Sequence, residues 1–434
     1  MNKIDFVFPY VDCNDPVWQK VYKEERRKNN LSTEISKVRF REWGNLKYLF
    51  RGIEKYAPWI GNIYMIVSNK EQVPDWVNTD EVHIVLHKDI IPEEFLPTFN
   101  STTIEMFLGN IKGLSERFIY SNDDMFFLND TTEDDFYVED RAIPKLSVKN
   151  QHGLETMFKK VQWKTLKTIS EHFEKKLPNP KERFLKLPHI FLPLTRETVR
   201  VVEKIFKNEI YNSCTQFRTE KNFNQYIYTY YQLFSGVYDS STRTYKYFGF
   251  KKDENPIDTT EKIVKEITNG SSQAICINDC YEFKSDAVFE FIKNKINSAF
   301  ETKLSKPSKY ELEIENIYEK KLGIFKWLNK IVAEFNFKKD YEIDMFISGV
   351  AEVIENIKKK RIEIENGSDD DSSSSEINDN SNEKLSDSNE DINDSSENDS
   401  DGFSSEIDSS SDGSSSEIDN TSENVSSSNN NEES

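Results

Sequence analysis

Short apolar segments alternate with amphipathic segments over the first 130 residues of the chain. Apolar residues spaced for one helix face occur in three segments, which span residues 15–29, 45–59 and 101–111. Four short runs rich in β-branched and aromatic residues predict strands: IDFVFPYV (4–11), IYMIVS (63–68), VHIVLH (82–87) and RFIYSN (117–122). Alternating strands and helices predict an α/β fold with a mixed, mostly parallel sheet flanked by helices.

The pattern becomes more helical after residue 190. Residues 130–190 contain four prolines and are mixed in character, whereas QAICIND (273–279) again predicts a strand. Helical spacing predicts further helices at 195–211, 222–236, 286–300, about 308–337 and about 340–361. These segments divide the chain into an α/β domain over residues 1–300 and a C-terminal helical accessory layer over residues 301–366.

The C-terminal segment, residues 367–434, differs from the rest of the chain in composition. It contains 21 Asp and Glu residues and one Lys, so it accounts for the formal net charge of −20. Such a segment cannot bury enough apolar surface to offset its ordering entropy, which predicts a disordered acidic tail. One interpretation is that the tail only keeps the protein soluble. The other is that its serines are phosphorylated, since several of them precede acidic residues. The body of the chain is neutral, and we therefore expect no nucleic-acid partner.

The cysteines and the apolar runs of the sequence indicate the cellular compartment in which the protein is expected. Cys276 and Cys280 form a C-x3-C pair with no nearby His to complete a zinc set, so reduced thiols are expected. The apolar run at the N-terminus is short and no cleavage site follows it. No window approaches the roughly 18 apolar residues of a membrane span. We expect a soluble, cytoplasmic protein.

Two adjacent carboxylates, Asp123 and Asp124, lie in FIYSNDDMFF (118–127) between two apolar runs. Burying an unpaired charge is costly, so their position calls for a partner. Past the C-terminal end of a strand, where open α/β sheets bind ligands, they could coordinate Mg²⁺ or Mn²⁺ and thereby a diphosphate. Asn122 adds a neutral donor and acceptor. The alternative is a solvated turn with a local Asp cap.

Other polar residues also follow predicted strands. Asp12 and Asp15 in YVDCNDP are candidates for nucleotide contact, or Asp15 is only a helix N-cap. ICINDCYEF (275–283) again ends a strand with Asn278 and Asp279. Two arginines near or on the first long helix are candidates for phosphate contact, or they belong to an exposed helix face; they are Arg41 and Arg51.

Three further residues are candidates for chemistry. Glu105 lies in the first turn of a predicted helix, where it would favour the helix dipole in any case. His189 lies among apolar residues and is a core histidine or, if it faces the carboxylates, a general base. Arg218 lies in TQFRTEKNF. The glycine motifs of P-loop and Rossmann proteins are missing from the sequence, so a cation and arginines would have to bind phosphate.

Taken together, these segments resemble the Stealth family in four ordered blocks from about residue 3 to 283. The first block resembles IDFVFPYVDCNDP. The second is the longest, and comprises RFREWGNLKYLFRGIEKYAPWIGNIYMIVSNKEQVPDWV and LPTFNSTTIEMFLGNIKGLSERFIYSNDDMFF. The third runs from LPHIFLPLT to FRTEKNF, and the fourth resembles AICINDCYE. Glu42 and Asn45 stand where the family more often has Asp and Glu, which leaves the donor open.

The resemblance implies a sugar-1-phosphate transferase on a glycosyltransferase-A-like α/β core. Such an enzyme moves sugar-1-phosphate from a nucleotide sugar, usually UDP-linked, to a hydroxyl of a glycan or glycoconjugate, and releases a nucleoside monophosphate. The family's functional positions match Glu105, Asp124, His189, Arg218 and the pair Asn278–Asp279, with nucleotide contact near Asp12 and Asp15.

From this match we assign roles as hypotheses. His189 takes the acceptor proton, and Arg218 and the cation offset phosphate charge. Asp124 binds the cation with support from Asp123, and Glu105 orients the donor or acceptor. Two alternatives remain open at this point. One is a metal-dependent glycosyltransferase on the same scaffold, which would release UDP instead of UMP. The other is a non-catalytic acidic interaction protein.

Overall fold

A computed structural model describes residues 3–313 except 36, 150–153, 155, 178–183, 237–240, 252–253 and 280. The strands are β1 Ile4–Pro9, β2 Ile60–Val67, β3 Val82–Leu86, β4 Arg117–Tyr120, β5 Met125–Phe127, β6 Tyr137–Val138, β7 Arg141–Ala142, β8 Ser147–Lys149, β9 Phe184–Lys186, β10 Leu192–Thr195, β11 Tyr245–Gly249 and β12 Ala274–Asn278. The helices are α1 Pro16–Lys28, α2 Lys37–Phe40, α3 Leu46–Tyr56, α4 His87–Ile90, α5 Ser101–Glu105, α6 Met157–His172, α7 Arg196–Ile205, α8 Lys207–Ser213, α9 Tyr226–Phe234, α10 Pro256–Asn269 and α11 Asp286–Lys303.

The central sheet has five strands in the order β10-β4-β1-β2-β3. β1 pairs in parallel with both β2 and β4, and only β10 runs antiparallel, against β4. Both faces of β1 are covered, since Phe6 and Phe8 belong to one apolar cluster and Val7 to another. Burial on two faces explains why the strand is a continuous apolar run and not an alternating one. The predicted α/β fold with a mostly parallel sheet flanked by helices is confirmed.

A second, three-stranded sheet has the order β11-β12-β5. β12 is parallel to β11 and antiparallel to β5, with Cys276 opposite Met125. β4 and β5 are separated by only four residues, 121–124, yet they belong to different sheets. The SNDD turn therefore joins the two sheets. The sequence pattern predicted β12 but not the separate sheet.

Most predicted helices within the described residues are confirmed, with differences at three places. The segment 101–111 is the short helix α5 followed by tighter turns, because the amides of Met106, Phe107 and Asn110 bond carbonyls three residues earlier. The segment 195–211 is two helices, α7 and α8, which meet at the non-helical, buried Phe206. Residues 304–313 are irregular, so the helix predicted from about 308 does not begin there.

Helix α6 was not predicted. Three of the six buried side chains of this helix are polar, namely Gln162, Thr165 and Ser170. The three apolar ones are Val161, Leu166 and Ile169. A buried stripe of this kind gives little hydrophobic periodicity. The rest of the predicted accessory layer, from residue 314 to 366, and the acidic tail lie outside the described residues. No described helix combines the length and the apolar character that a membrane span requires.

Candidate active site between the two sheets

The SNDD turn is held by the second sheet. The main-chain amide of Ile277 in β12 donates to the carbonyl of Asp124 at 2.9 Å. Ser121 before the turn is fully buried, and its own amide donates to the carbonyl of Val7 in β1 at 2.9 Å. Asn122, Asp123 and Asp124 are half-buried. The turn is therefore anchored to both sheets while its polar side chains remain accessible.

His189 lies beside this turn, just before β10. Its Nε2 atom is 3.4 Å from Oδ2 of Asp124 and 3.2 Å from Nδ2 of Asn122. The side chain is 18% exposed. If Asn122 donates through Nδ2, Nε2 of the neutral ring is the unprotonated nitrogen and carries the lone pair. The structure thus places His189 against the carboxylate, and its role as a general base stays a prediction.

Two side chains of β12 reach the same carboxylate oxygen. Nδ2 of Asn278 lies 3.3 Å from Oδ2 of Asp124, and Sγ of Cys276 lies 3.4 Å from it. Side chains two residues apart on a strand point to the same face, which brings both to Asp124. Sequence reasoning named Asn278 but missed Cys276. Its position two residues before Asn278 was the available signal.

Burial raises the pKa of Asp123 to about 8, with further contributions from the negative charges of Asp124 and Glu42. Glu42 accepts a hydrogen bond from the Tyr10 hydroxyl at 2.8 Å, and burial raises its pKa also. Three carboxylates close together repel one another when ionised. Such a group favours the binding of a cation, which would offset that repulsion.

The residues of the turn fit a hard cation such as Mg²⁺ or Mn²⁺. Oδ1 of Asp124 and Oδ1 of Asn122 are buried, and neither has a hydrogen-bond partner among the described residues. A buried oxygen without a partner is costly unless a ligand satisfies it. Carboxylate and amide oxygens are the ligands that these cations prefer.

Asp279 is held differently from Asp124. Its Oδ2 atom accepts from Arg41 Nε and from Trp43 Nε1, both at 3.0 Å. Burial raises its pKa to about 7, although the charge of Arg41 and the bond from Trp43 oppose that rise. The guanidinium of Arg41 also lies over the rings of Phe283 and Phe289. Arg41 therefore fixes the start of α3 to the segment after β12, and its phosphate contact stays a prediction.

Glu105 forms a second side of the site. It is 2% exposed and accepts hydrogen bonds from the Tyr120 hydroxyl at 3.2 Å and the Gln225 amide at 2.9 Å. Burial raises its pKa, while the Gln225 amide bond, the positive charge of Arg218 and the Tyr120 hydroxyl bond oppose the rise. Because Tyr120 immediately precedes the SNDD turn, this bond links Glu105 to the turn.

Arg218 is positioned by a polar network at the start of α5. Its Nη2 atom donates to the Ser101 hydroxyl at 2.7 Å. The neighbouring N-cap residue, Asn100, is buried and donates to the Thr215 carbonyl and to Oδ1 of Asn222, each at 3.2 Å. These bonds hold the loop that carries Arg218 against the helix that carries Glu105.

Asp12 and Asp15 lie at the carboxyl end of β1, where nucleotide contact was predicted. Asp15 is buried and caps α1, accepting from the amides of Val17 and Trp18. Burial would raise its pKa, but hydrogen bonds from Gln72, Val17, Asn69 and Trp18 outweigh it and lower the pKa. Among the described residues, Oδ1 of Asp12 accepts only the local Asn14 amide, in a half-exposed position. The nucleotide contacts of both residues stay predictions.

Arg51 lies in a separate ion-pair cluster. Its guanidinium bonds Glu311 at 2.8 Å, Glu301 at 3.0 Å and the Leu304 carbonyl at 2.9 Å. It is 7% exposed. The structure thus joins Asn122, Asp124, His189 and Asn278 by direct contact, with Asp123, Glu105 and Arg218 close by. It places Arg51 in contact with the segment after α11, so its predicted phosphate contact has no structural support.

None of Cys13, Cys214 and Cys276 forms a disulfide, and two of them are buried. This agrees with the expectation of reduced thiols for the cysteines within the described residues.

Comparison with known proteins supports the resemblance to the Stealth family. Residues 39–145 match the family model described as Stealth protein conserved region 2. The chain is 31% identical over 341 residues to the exopolysaccharide phosphotransferase cps2G of Lactiplantibacillus plantarum, covering 71% of this chain and 96% of that protein. It is 28% identical to the capsular polysaccharide phosphotransferase WcwK of Streptococcus pneumoniae, covering 72% of this chain and all of the relative.

It is also 29% identical to the receptor polysaccharide phosphotransferase WefC of Streptococcus oralis, covering 68% of this chain and 96% of that one. Among solved structures, the apo-form glycosyltransferase GlyE of Streptococcus pneumoniae matches with 12% identity and a TM-score of 0.28, covering 71% of this chain and 65% of that one. A TM-score this low carries no argument. The long matches to the sequence relatives decide the assignment, and the chain belongs to the Stealth family of phosphotransferases.

Proposed function

We propose that this enzyme transfers hexose- or N-acetylhexosamine-1-phosphate from a UDP-linked nucleotide sugar to a hydroxyl group of a glycan. The observation that carries the proposal is the 3.4 Å separation between His189 Nε2 and Asp124 Oδ2, in a turn with unpartnered buried oxygens. The relatives named for exopolysaccharide, capsular and receptor polysaccharide support a polysaccharide acceptor. A cytoplasmic location stays a prediction.

The proton transfer follows from the position of His189. The acceptor hydroxyl gives its proton to Nε2, and its oxygen bonds to the phosphorus that carries the sugar. The bond from that phosphorus to the bridging oxygen breaks, and the nucleoside monophosphate leaves with both electrons. Once Nε2 is protonated, Oδ2 of Asp124 at 3.4 Å stabilises the imidazolium. Rotation of the Asn122 amide would offer Nε2 an acceptor, its Oδ1 atom, in place of a donor.

The remaining residues act on charge and orientation. Mg²⁺ or Mn²⁺, bound by Asp124 with Asp123, Asn278 and Asp279 as the other predicted ligands, would supply positive charge to the diphosphate. Arg218 adds a planar cation suited to phosphate oxygens. Its bond to Ser101 and the Asn100 network fix the loop before substrate binds. Glu105, which is buried beside Arg218, orients that arginine or the substrate.

The decisive experiment identifies the leaving group. Purified full-length protein is incubated with UDP-sugars, Mg²⁺ and simple methyl glycosides as acceptors, and the released nucleotide is separated by chromatography. We expect UMP and a sugar phosphodiester. Release of UDP would assign the protein to ordinary glycosyl transfer and overturn the proposal. Failure of every nucleotide sugar to bind would argue against donor-dependent chemistry altogether.

A pair of histidine variants tests the mechanism. His189→Ala should abolish UMP release while donor binding, measured by calorimetry, persists. His83→Ala is the matched control, because His83 is exposed on β3 and stacks only on Tyr64. Loss of donor binding in His189→Ala would make His189 a binding residue instead of the base.

A further inference from the structure

Three chemically different donor atoms meet at the carboxylate of Asp124. They are Oδ2 of Asp124, Nε2 of His189 and Sγ of Cys276, and all three lie within 4.8 Å of one another. Oδ2 is 3.4 Å from the nitrogen and 3.4 Å from the sulfur. We propose that this cluster binds a thiophilic metal ion of the Zn²⁺ class, and that the bound ion switches the enzyme off.

The distances fit tetrahedral zinc. Ordinary Zn–N, Zn–O and Zn–S bond lengths place a ligand nitrogen about 3.4 Å from a ligand oxygen, and a ligand sulfur about 3.6 Å from that oxygen. Both separations from Oδ2 in the structure lie within 0.2 Å of these values. The nitrogen and the sulfur lie within 4.8 Å of each other, and a shift of their side chains would bring them to the roughly 3.6 Å that a tetrahedral zinc site requires. Nδ2 of Asn278 lies 3.3 Å from the same oxygen, and rotation of its amide would present Oδ1 as a fourth ligand.

The type of ligand sets the type of metal. Thiolate and imidazole favour zinc and its neighbours, whereas Mg²⁺ prefers oxygen and keeps much of its water. Asp124 and His189 are 20% and 18% exposed, so an ion can enter from solvent, while Cys276 closes the site from the core side. Asp124 is therefore shared between two alternative sites. The oxygen atoms of the SNDD turn favour an activating cation such as Mg²⁺. The sulfur of Cys276 and the nitrogen of His189 favour Zn²⁺.

The functional consequence rests on the proposed function. A metal ion on Nε2 of His189 occupies the lone pair that takes the acceptor proton. The same ion takes Oδ2 of Asp124 away from an activating cation. Zn²⁺ should therefore inhibit transfer, and a chelator should restore it.

Metal binding is tested without any substrate. Full-length protein stripped of metal is titrated with Co²⁺, and the thiolate-to-cobalt charge-transfer absorption is recorded. We expect a band that saturates at one equivalent, that excess Zn²⁺ abolishes and that excess Mg²⁺ leaves in place. Cys276→Ser should lose the band and weaken Zn²⁺ binding by at least about tenfold. Cys214→Ser is the matched control, because Cys214 is buried away from Asp124 among Thr103 and Ser213.

A further variant keeps the test decisive. His189→Gln removes a second ligand at a partly exposed position, so it answers the question if Cys276→Ser does not fold by circular dichroism. A band that survives in Cys276→Ser, an unchanged Co²⁺ affinity in His189→Gln, or no band in the parent protein would overturn the site. If the band appears but no nucleotide is ever released, the metal site stands and the proposed function fails.

Discussion

Replacing Arg51 by methionine tests whether this side chain serves the fold or the nucleotide. The sequence suggested phosphate contact, whereas the structure surrounds the guanidinium with Glu311, Glu301 and the Leu304 carbonyl. Methionine keeps most of the apolar stem but removes the charge. Glu311, which is 10% exposed, would then lose its only cationic partner among the described residues.

The expected cost follows from the burial of each partner. Removing one member of a buried ion pair costs about 3–5 kcal/mol, because the other charge is left without compensation. Glu301 is 45% exposed, so its half of the cluster adds less than about 1 kcal/mol. Since Glu311 also keeps its bonds from Ser308, the lower end applies. We expect Arg51→Met to lower the free energy of unfolding by about 3 kcal/mol.

Equilibrium unfolding in urea measures the loss of unfolding free energy. Calorimetry with a UDP-sugar, at a temperature where the variant is folded, measures its affinity for the donor. Lys47→Met is the matched control, because Lys47 lies on the same helix and pairs with the exposed Glu301 at 3.1 Å. The control should change stability by less than about 1 kcal/mol. If Arg51→Met is as stable as the parent but binds the donor poorly, Arg51 is a nucleotide ligand and the structural reasoning is wrong.

Three further outcomes are expected. Gly52→Ala should destabilise the fold by about 1–3 kcal/mol in urea, since its Cβ would lie 2.9 Å from the Phe127 carbonyl; an unchanged midpoint would mean that α3 can shift. Burial raises the pKa of Glu203 from 4.5 to about 7, so the parent protein loses stability as the pH rises through that range. Glu203→Gln should avoid this loss and gain up to about 3 kcal/mol relative to the parent above pH 7; a difference that does not vary with pH would refute it. Ser101→Ala should lower turnover about fivefold by releasing one bond to Arg218, with donor affinity unchanged; a fall in affinity alone would place Arg218 in donor binding.

Several features of the site could be predicted because they depend on local sequence. Asp124 follows a buried apolar strand, and its charge there required a partner, which the structure supplies in His189 and Asn278. Asp15 before Pro16 predicted a helix start, and the helix α1 begins there with Asp15 as its cap. The four sequence blocks predicted the family, which the long matches to relatives confirm.

Other features could not be predicted, because they arise from contacts between distant segments. Arg41 and Arg51 each follow a phenylalanine, yet one pairs with Asp279 and the other with Glu311, 238 and 260 residues away. The sequence alone indicated an ordinary buried thiol at Cys276. In the structure, β12 pairs with β5, and this pairing places Cys276 beside Asp124. Helix α6 was missed because its buried face is half polar.

The sequence by itself determined the strands β1 to β4, the helices α1 and α3, the turn of carboxylates and the family. These depend on periodicity and on short motifs, which survive without knowledge of the fold. Only the tertiary structure decided which charges meet, because a pairing between distant residues depends on sheet order and register. It placed β4 and β5 in different sheets, and that separation opens the gap in which Asp124 meets His189, Cys276 and Asn278.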